Sequence, residues 1–493
     1  MGRLLTAAVL AVLAASWAVA AQADTRMKAM GEFGVTTAGR YDSYLDGGIG
    51  KLRFGRGDQG LRLFGGYLQV ENDFGERWDS VITLDVNDQL DHPVGFTEAV
   101  LRFRPMPRAG MRFRGKLGLF RPPISLEHSA DGWATRYTIQ ASALNSWVGE
   151  ELGAYGFEAS VKNDRATGTQ FDWGVKAALF YGNDPAGTML AWRGWSPNNV
   201  QTRPGDKIPF ADLPFFDIIQ AQASSLGEPS PTSSASWASS APIHSSTTKR
   251  LEHSKSAATV GYRGDHPDDP DVPNDPNDPN YIEPPTGPGD EDPFDLAFFD
   301  IVQAQAPWAE PYLEIDNRYG YYVAVDLGVP QRFMLRLMHY DNRADPEIFK
   351  HGQYAWRTYF NSAGFQSGLP FGLGLIVQYM SGRSYMGQKW GDQRGVDLDF
   401  DAKFVLLTKV VGDNRFSVRR EWFSIDDNDG RTIDPNGESL RSWTLSYQRK
   451  LSPKWRLALE WLEVKGRRDA RELLGLKRYA AEDALYATLR WAH

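Results

Sequence analysis

Basic and apolar side chains alternate along residues 101–119. The cations occupy the even positions, namely Arg102, Arg104, Arg112, Arg114 and Lys116. The apolar residues occupy the odd positions, namely Leu101, Phe103, Phe113, Leu117 and Leu119. Successive side chains of a β-strand point to opposite faces, so this pattern predicts strands with one apolar face and one basic face. Guanidinium and ammonium groups that line a water-filled space attract anions and repel cations.

Other cations fall on the polar face of their segments by the same parity. These are Lys51, Arg53, Arg62, Arg332, Arg336, Arg415, Arg419, Arg456 and Arg490. As a set they favour an anion-tolerant pore. Any single one of them could instead pair with an inward acid such as Glu158 or Glu460 and act as a structural strut.

The last 55 residues indicate which elements carry these side chains. Trp455, Leu457, Leu459 and Trp461 alternate with polar or small residues, and residues 443–447 and 485–491 show the same alternation. A soluble β-sandwich would bury the apolar face, whereas a transmembrane barrel turns it toward lipid. Two tryptophans bracket the leucines as interfacial girdles would, and this favours the barrel over the sandwich.

Composition and targeting agree with an exported barrel. Arg3, the apolar residues 4–19 and Ala21-Gln22-Ala23 predict a signal peptide cleaved after Ala23, with cleavage after Ala20 as the second choice. After residue 23 no run of 18 apolar residues occurs, which excludes an α-helical membrane protein. The chain has no cysteine, so it contains neither disulfides nor thiolate metal sites.

A Pro-, Ser- and Asp-rich segment interrupts the strand pattern. Residues 24–199 and 311–493 read as an antiparallel meander of about 16 strands, with 14 or 18 as alternatives, and residues 200–310 read as a disordered insertion. Residues 212–223 recur as residues 295–306, which indicates a local duplication within one loop. Residues 264–293 contribute ten acids, so without them the net charge changes from −8 to about +2. The aspartates there lack the closing glutamate of a calcium loop, and calcium binding is the weaker interpretation.

A structured loop of about 30 residues is predicted between the strand that ends near Phe120 and the strand that resumes at Tyr155. Two prolines at 122 and 123 end a strand, and residues 142–151 have short helical character. Such a loop often folds into a barrel mouth and narrows it. The candidate constriction residues are Arg121, Glu127, Arg136, Glu150 and Glu151. The alternative is a surface loop that makes a contact between subunits of a trimer.

A family resemblance rests on two motifs in this region. Residues 115–127 (GKLGLFRPPISLE) followed by residues 142–152 (SALNSWVGEEL) resemble outer-membrane porins related to the phosphate-selective porin O/P family. The likeness covers most of residues 24–199 and 308–493. It implies a 16-stranded trimeric channel with a lumenal ladder of arginines and lysines. The insertion and the C-terminal His493 depart from the family pattern, and phosphate selectivity is not implied because the ladder cannot be matched residue by residue.

These patterns predict an outer-membrane porin for passive diffusion of small hydrophilic solutes with a mild anion preference. The expected partners are outer-membrane lipids, the solutes, the barrel-assembly machinery and two further copies in a homotrimer; no nucleic acid and no cofactor is expected. An adhesion or binding barrel that acts through its long loop is the alternative. An enzyme is disfavoured because the eight histidines stand in no recognisable nucleophile context. A carbohydrate channel would need more lumenal aromatics than Phe423 and Tyr486.

Overall fold

A computed structural model describes residues 24–37, 39–163, 171–211, 213, 305–330, 332–390 and 393–493. The predicted signal peptide and residues 214–304 lie outside the described residues, so the predictions of cleavage and of disorder there are not tested. Among the described residues, no helix has the length and apolar character needed to cross a membrane.

Sixteen antiparallel strands form a closed barrel in which each strand pairs with its neighbours in the chain, and the first pairs with the last. This confirms the predicted fold class and strand number. The strands are β1 (Asp24–Thr36), β2 (Gly60–Asp73), β3 (Trp78–Val86), β4 (Val94–Phe103), β5 (Met111–Phe120), β6 (Ala154–Asn163), β7 (Asp172–Tyr181), β8 (Gly320–Val329), β9 (Phe333–Asp341), β10 (Arg357–Leu369), β11 (Leu373–Trp390), β12 (Gln393–Val411), β13 (Asn414–Asp427), β14 (Glu438–Lys450), β15 (Trp455–Arg468) and β16 (Tyr479–Ala492).

The two ends of the barrel differ in the length of their connections. At one end, here called the short-turn end, seven connections are eight residues or shorter, and Asp24 and Ala492 lie at the same end. At the other end, the long-loop end, the connections include residues 37–59, 121–153 and 182–319. Helix α1 (Ala143–Glu151) lies in the second of these loops, as predicted, and the single-turn helix α2 (Thr188–Trp192) lies in the third.

The outward side chains form an apolar band. The band includes Phe113, Leu117, Phe157, Leu179, Val323, Leu337, Val418, Leu445, Leu459 and Leu485, all of them exposed. Trp455 and Trp491 are paired across β15 and β16 at the edge of the band nearest the short-turn end. Trp461 lies toward the edge nearest the long-loop end. Exposed apolar residues between aromatic girdles are the surface of an outer-membrane-type barrel.

Two predictions made from the sequence need correction. Residues 51–54, predicted as part of a strand, belong to the loop 37–59 and are all buried. Their alternation does not mark two faces, because the loop packs inside the barrel. Residues 200–211 and 305–310, predicted as part of the disordered insertion, are ordered, and Ile208–Pro209 pairs with Trp308–Ala309.

Candidate functional site

Basic side chains line the lumen at the short-turn end. A cavity of about 830 Å³ is lined by the cations Arg112, Arg114, Lys162, Lys176 and Arg332, with Asp172 and Asp326 as its carboxylates. The inward positions of β5 to β9 supply most of these groups, because β-strands place every second side chain in the lumen. Arg114 has no carboxylate within ion-pair distance among the described residues.

A second cavity, of about 320 Å³, lies against the opposite wall at the same end. Its cations are Arg136, Arg415, Lys450, Lys454, Arg456 and Arg490, and no carboxylate belongs to its lining. Arg490 pairs with Glu32 beside the cavity, at 2.6 Å. The two cavities together are called the basic vestibule below. Cationic side chains outnumber carboxylates in its lining.

Several of the predicted lumenal cations are neutralised by neighbours on the wall. Arg102 pairs with Asp79 at 2.6 Å and Arg104 with Asp79 at 2.7 Å. Arg336 pairs with Asp326 at 2.6 Å, and Lys116 lies 3.6 Å from Glu158. These four behave as the struts of the alternative interpretation, so their charges contribute less to the field in the lumen.

The loop 121–153 crosses the lumen and is attached to the far wall by buried acids of β13 and β15. Glu460 accepts hydrogen bonds from the backbone N–H groups of Ile139 and Gln140, and Glu421 accepts one from that of Ala143. Each acid thereby satisfies amides that the loop could not pair internally. The loop therefore lies inside the barrel, as predicted.

Arg419 of β13 is the centre of this attachment. Its guanidinium is fully buried, donates to Glu127 and Glu421 at 2.9 Å each, and also donates to the carbonyls of Gln140 and Ala141. Glu127 in turn accepts from Ser142 and Asn145 at the start of α1. A buried arginine between two carboxylates is stable only while the whole network is complete.

The other four candidate constriction residues occupy different places. Arg121 is buried and donates to the carbonyls of Gly149 and Thr202, so it joins two loops to each other. Glu150 pairs with Arg193 at 2.7 Å, and Glu151 accepts from the backbone N–H of Met189 and from the Trp147 indole. Arg136 is the exposed one, and it lies in the basic vestibule. The structure thus separates the five candidates instead of gathering them into one ring.

The long-loop half of the lumen is a packed core. All nine residues of α1 are buried. Trp147 packs against Trp195, Phe360 and Phe400, with ring centroids 5.8, 5.7 and 5.3 Å apart. Three loops therefore fill this half of the lumen and close it over the vestibule, so the water-filled space expected inside the basic strand face does not extend through this half.

Sequence reasoning missed two of the three loops that form this plug. Residues 37–59 place Lys51 against Glu438, and residues 182–213 place Trp195 between β12 and β13. One available signal was the inward face of β12, which is apolar at Leu398, Phe400, Phe404 and Leu406. Such an apolar inward face does not border water and instead packs against a buried segment.

Three carboxylates meet at the long-loop end. Oxygens of Asp184, Glu314 and Asp316 lie within 4.8 Å of one another. Burial, followed by the charges of Glu314 and Asp316, holds the pKa of Asp184 well above its ordinary value. The Asp184 carboxylate accepts the backbone N–H groups of Ile315 and Asp316, which fixes the loop after residue 311.

Comparison with known proteins does not show a family for this chain. No protein-family model and no curated protein matches the chain. Among solved structures, the chain is similar to the outer membrane channel DcaP of Acinetobacter baumannii, with 9% identity, a TM-score of 0.48 and coverage of 96% of this chain and 98% of that chain.

Two further solved structures are similar at the same level. A loop L8 deletion mutant of OmpT, an outer membrane protein of Vibrio cholerae, has 7% identity, a TM-score of 0.46 and coverage of 96% and 99%. OprB of Pseudomonas putida has 8% identity, a TM-score of 0.43 and coverage of 97% of both chains. Similarity this low does not carry a function from one barrel to another, and the resemblance to the O/P porins stays a prediction.

Proposed function

We propose that this protein is an outer-membrane channel through which small hydrophilic solutes diffuse, with a preference for anions. The basic vestibule supports the proposal most directly. Arg114, Arg415 and Arg456 face this lumen without a carboxylate within ion-pair distance among the described residues. Cations fixed in a narrow aqueous space raise the local anion concentration and exclude cations.

The plug sets a condition on this function. Solutes that enter the vestibule meet a packed core, so conduction requires the loops to move away from the far wall. Outer-membrane barrels often hold such loops in the lumen, and the strands need not change when a loop moves. The resting protein is therefore expected to open rarely and to close for long intervals.

Reversal potentials across planar bilayers under a potassium chloride gradient test the anion preference. We expect an anion-selective reversal potential that moves toward zero in the double variant Arg114→Gln and Arg456→Gln. The control is Arg102→Gln, which removes one cation already neutralised by Asp79 and should change selectivity less for each charge removed. A cation-selective channel, or equal shifts in the double variant and its control, would contradict the proposal.

A non-conducting barrel that acts through its long loop is the second candidate. The packed long-loop half of the lumen favours it, because nothing in such a barrel needs to open. Discrete channel openings in the same bilayer recordings support the first candidate, and their complete absence in correctly folded protein supports the second. A homotrimer and contact with the barrel-assembly machinery remain predictions for either one.

A further inference from the structure

Three cations and a tryptophan form a row across four adjacent strands on the outside of the barrel. The pairing register places Lys403 of β12 opposite Trp422 of β13, Trp422 opposite Arg441 of β14, and Arg441 opposite Lys465 of β15. All four side chains point outward, on the same faces as the exposed apolar residues Leu407, Val418, Trp443 and Leu459 of these strands. We call Lys403, Trp422, Arg441 and Lys465 the outer basic row.

The row lies immediately above the apolar band, on the side of the long loops. On β15 the outward residues from the short-turn end upward are Trp455, Leu457, Leu459, Trp461, Glu463 and Lys465. The row therefore begins where the apolar residues end. In a membrane, this is the level of the lipid headgroups in the leaflet on the long-loop side.

Aromatic rings hold a fourth cation beside the row. The Arg420 guanidinium lies 4.7 Å from the ring centroid of Trp443 and 5.3 Å from that of Trp422. Both rings are about two-fifths exposed, so the cation sits at an aromatic surface that faces the membrane. Indole rings favour this interfacial position, and they pre-order the arginine between them.

The balance of charge in the row is positive. Lys465 pairs with Glu463 at 2.9 Å, and Lys403 lies 4.0 Å from Asp401. Arg441 is exposed, and neither Arg441 nor Arg420 has a carboxylate within ion-pair distance among the described residues. Two cations are therefore left over at the depth where a membrane presents its phosphate groups.

We propose that the outer basic row and Arg420 bind the phosphate-bearing headgroup of a membrane lipid in the leaflet on the long-loop side. Arginine is well suited to this ligand, because its planar fork of N–H groups matches phosphate oxygens in pairs. Trp422 and Trp443 contact the adjoining acyl and sugar region. The bound lipid ties β12 to β15 together on the outer face of the same wall whose inner face holds the lumenal plug.

Native mass spectrometry of the purified barrel in detergent, with bisphosphorylated lipid A as the probe, tests the proposal. We expect a saturable lipid adduct in the wild type and an affinity about 30-fold weaker in the double variant Lys403→Gln and Arg441→Gln, since each basic group near a charged lipid contributes several-fold. Arg449→Gln is the matched control. Arg449 is also an exposed outward arginine of β14, but it lies at the short-turn end, opposite Asn414.

Four results would overturn the proposal. The first would be a double variant that binds lipid A as tightly as the wild type does, and the second would be an Arg449→Gln variant that binds it as weakly as the double variant does. The third would be equal binding of dephosphorylated and phosphorylated lipid A. The fourth would be displacement of the lipid by millimolar inorganic phosphate, which would assign the row to a free anion. A heat-modifiable mobility on gels shows that each variant barrel is folded, so loss of binding cannot reflect misfolding.

Discussion

Arg419→Met is expected to release the loop 121–153 from the far wall of the barrel. The substitution keeps an unbranched stem and removes the charged guanidinium group. Glu127 and Glu421 would then face each other in a buried space without the cation that neutralises both. Two backbone carbonyls, those of Gln140 and Ala141, would also lose their donor.

Removal of one partner from a buried ion pair costs about 3–5 kcal/mol, because the remaining charge is left uncompensated. The cost falls on the inserted conformation of the loop and not on the strand pairing, which uses backbone hydrogen bonds. A change of about 4 kcal/mol alters the ratio of inserted to released loop by roughly a thousandfold. The loop 121–153, which is almost always inserted in the wild type, would then be released for a measurable fraction of time in Arg419→Met.

Single-channel recordings in planar bilayers give the readout. We expect more frequent and longer openings in Arg419→Met than in the wild type, and an intermediate effect in Glu127→Gln, which leaves the pair with Glu421. Arg415→Met is the matched control. Arg415 is another inward arginine of β13, but it contacts Thr408 and the Tyr137 ring and no carboxylate within ion-pair distance among the described residues.

Arg419 does not attach the loop 121–153 if Arg419→Met and Arg415→Met open with the same frequency and duration. Both variant barrels must show the heat-modifiable mobility of the folded state. This attachment is also refuted if the loop of Arg419→Met stays as protected from trypsin as that of the wild type. Arg136 is exposed and supplies a cleavage site within the loop.

Two further predictions concern the wall and the outer mouth. Leu459→Arg places a charge in the apolar band and should lower the free energy of unfolding in liposomes by about 2–4 kcal/mol. Ser439→Arg is the control: Ser439 points outward between the band and the long-loop end, and its substitution should lower that free energy by only about 0–1 kcal/mol. Equal losses in the two variants would contradict the position of the band. Asp184→Asn should stabilise the loop 313–318 at high pH. The folded pKa of Asp184 is raised above its unfolded value of 3.8, so the wild-type loop loses stability as pH rises from about 4 through the folded pKa, and Asn removes that loss. Hydrogen exchange of these amides should show wild type and variant converging near pH 4, and a wild-type loop that gains protection with rising pH would contradict the sign.

The strands could be predicted from the sequence because a barrel wall has a period of two and one environment on each side. The alternation of Trp455 to Trp461 predicts β15 and its outward face without any tertiary information. The number of strands followed from the remaining length. Both inferences rest on local patterns that the fold repeats sixteen times.

The contents of the lumen could not be predicted in the same way. Lys51, Trp195 and Arg419 meet their partners across hundreds of residues, and their segments have no period that marks which wall they face. Lys51 to Phe54 even imitates a strand, because Leu52 and Phe54 pack into the plug while both cations find buried partners. On the strands, the alternation showed which arginines face inward, but it did not show which of them a carboxylate neutralises.

The central claim is that the outward face of the barrel contacts acyl chains while the inward face contacts the lumen. The absence of cysteine allows a single spin label at each of residues 457 to 461 in turn. In liposomes, labels at Leu457, Leu459 and Trp461 should collide with oxygen dissolved in lipid, and labels at Ala458 and Glu460 should be shielded from it. Equal oxygen accessibility at all five positions, or an inverted alternation, would contradict this account.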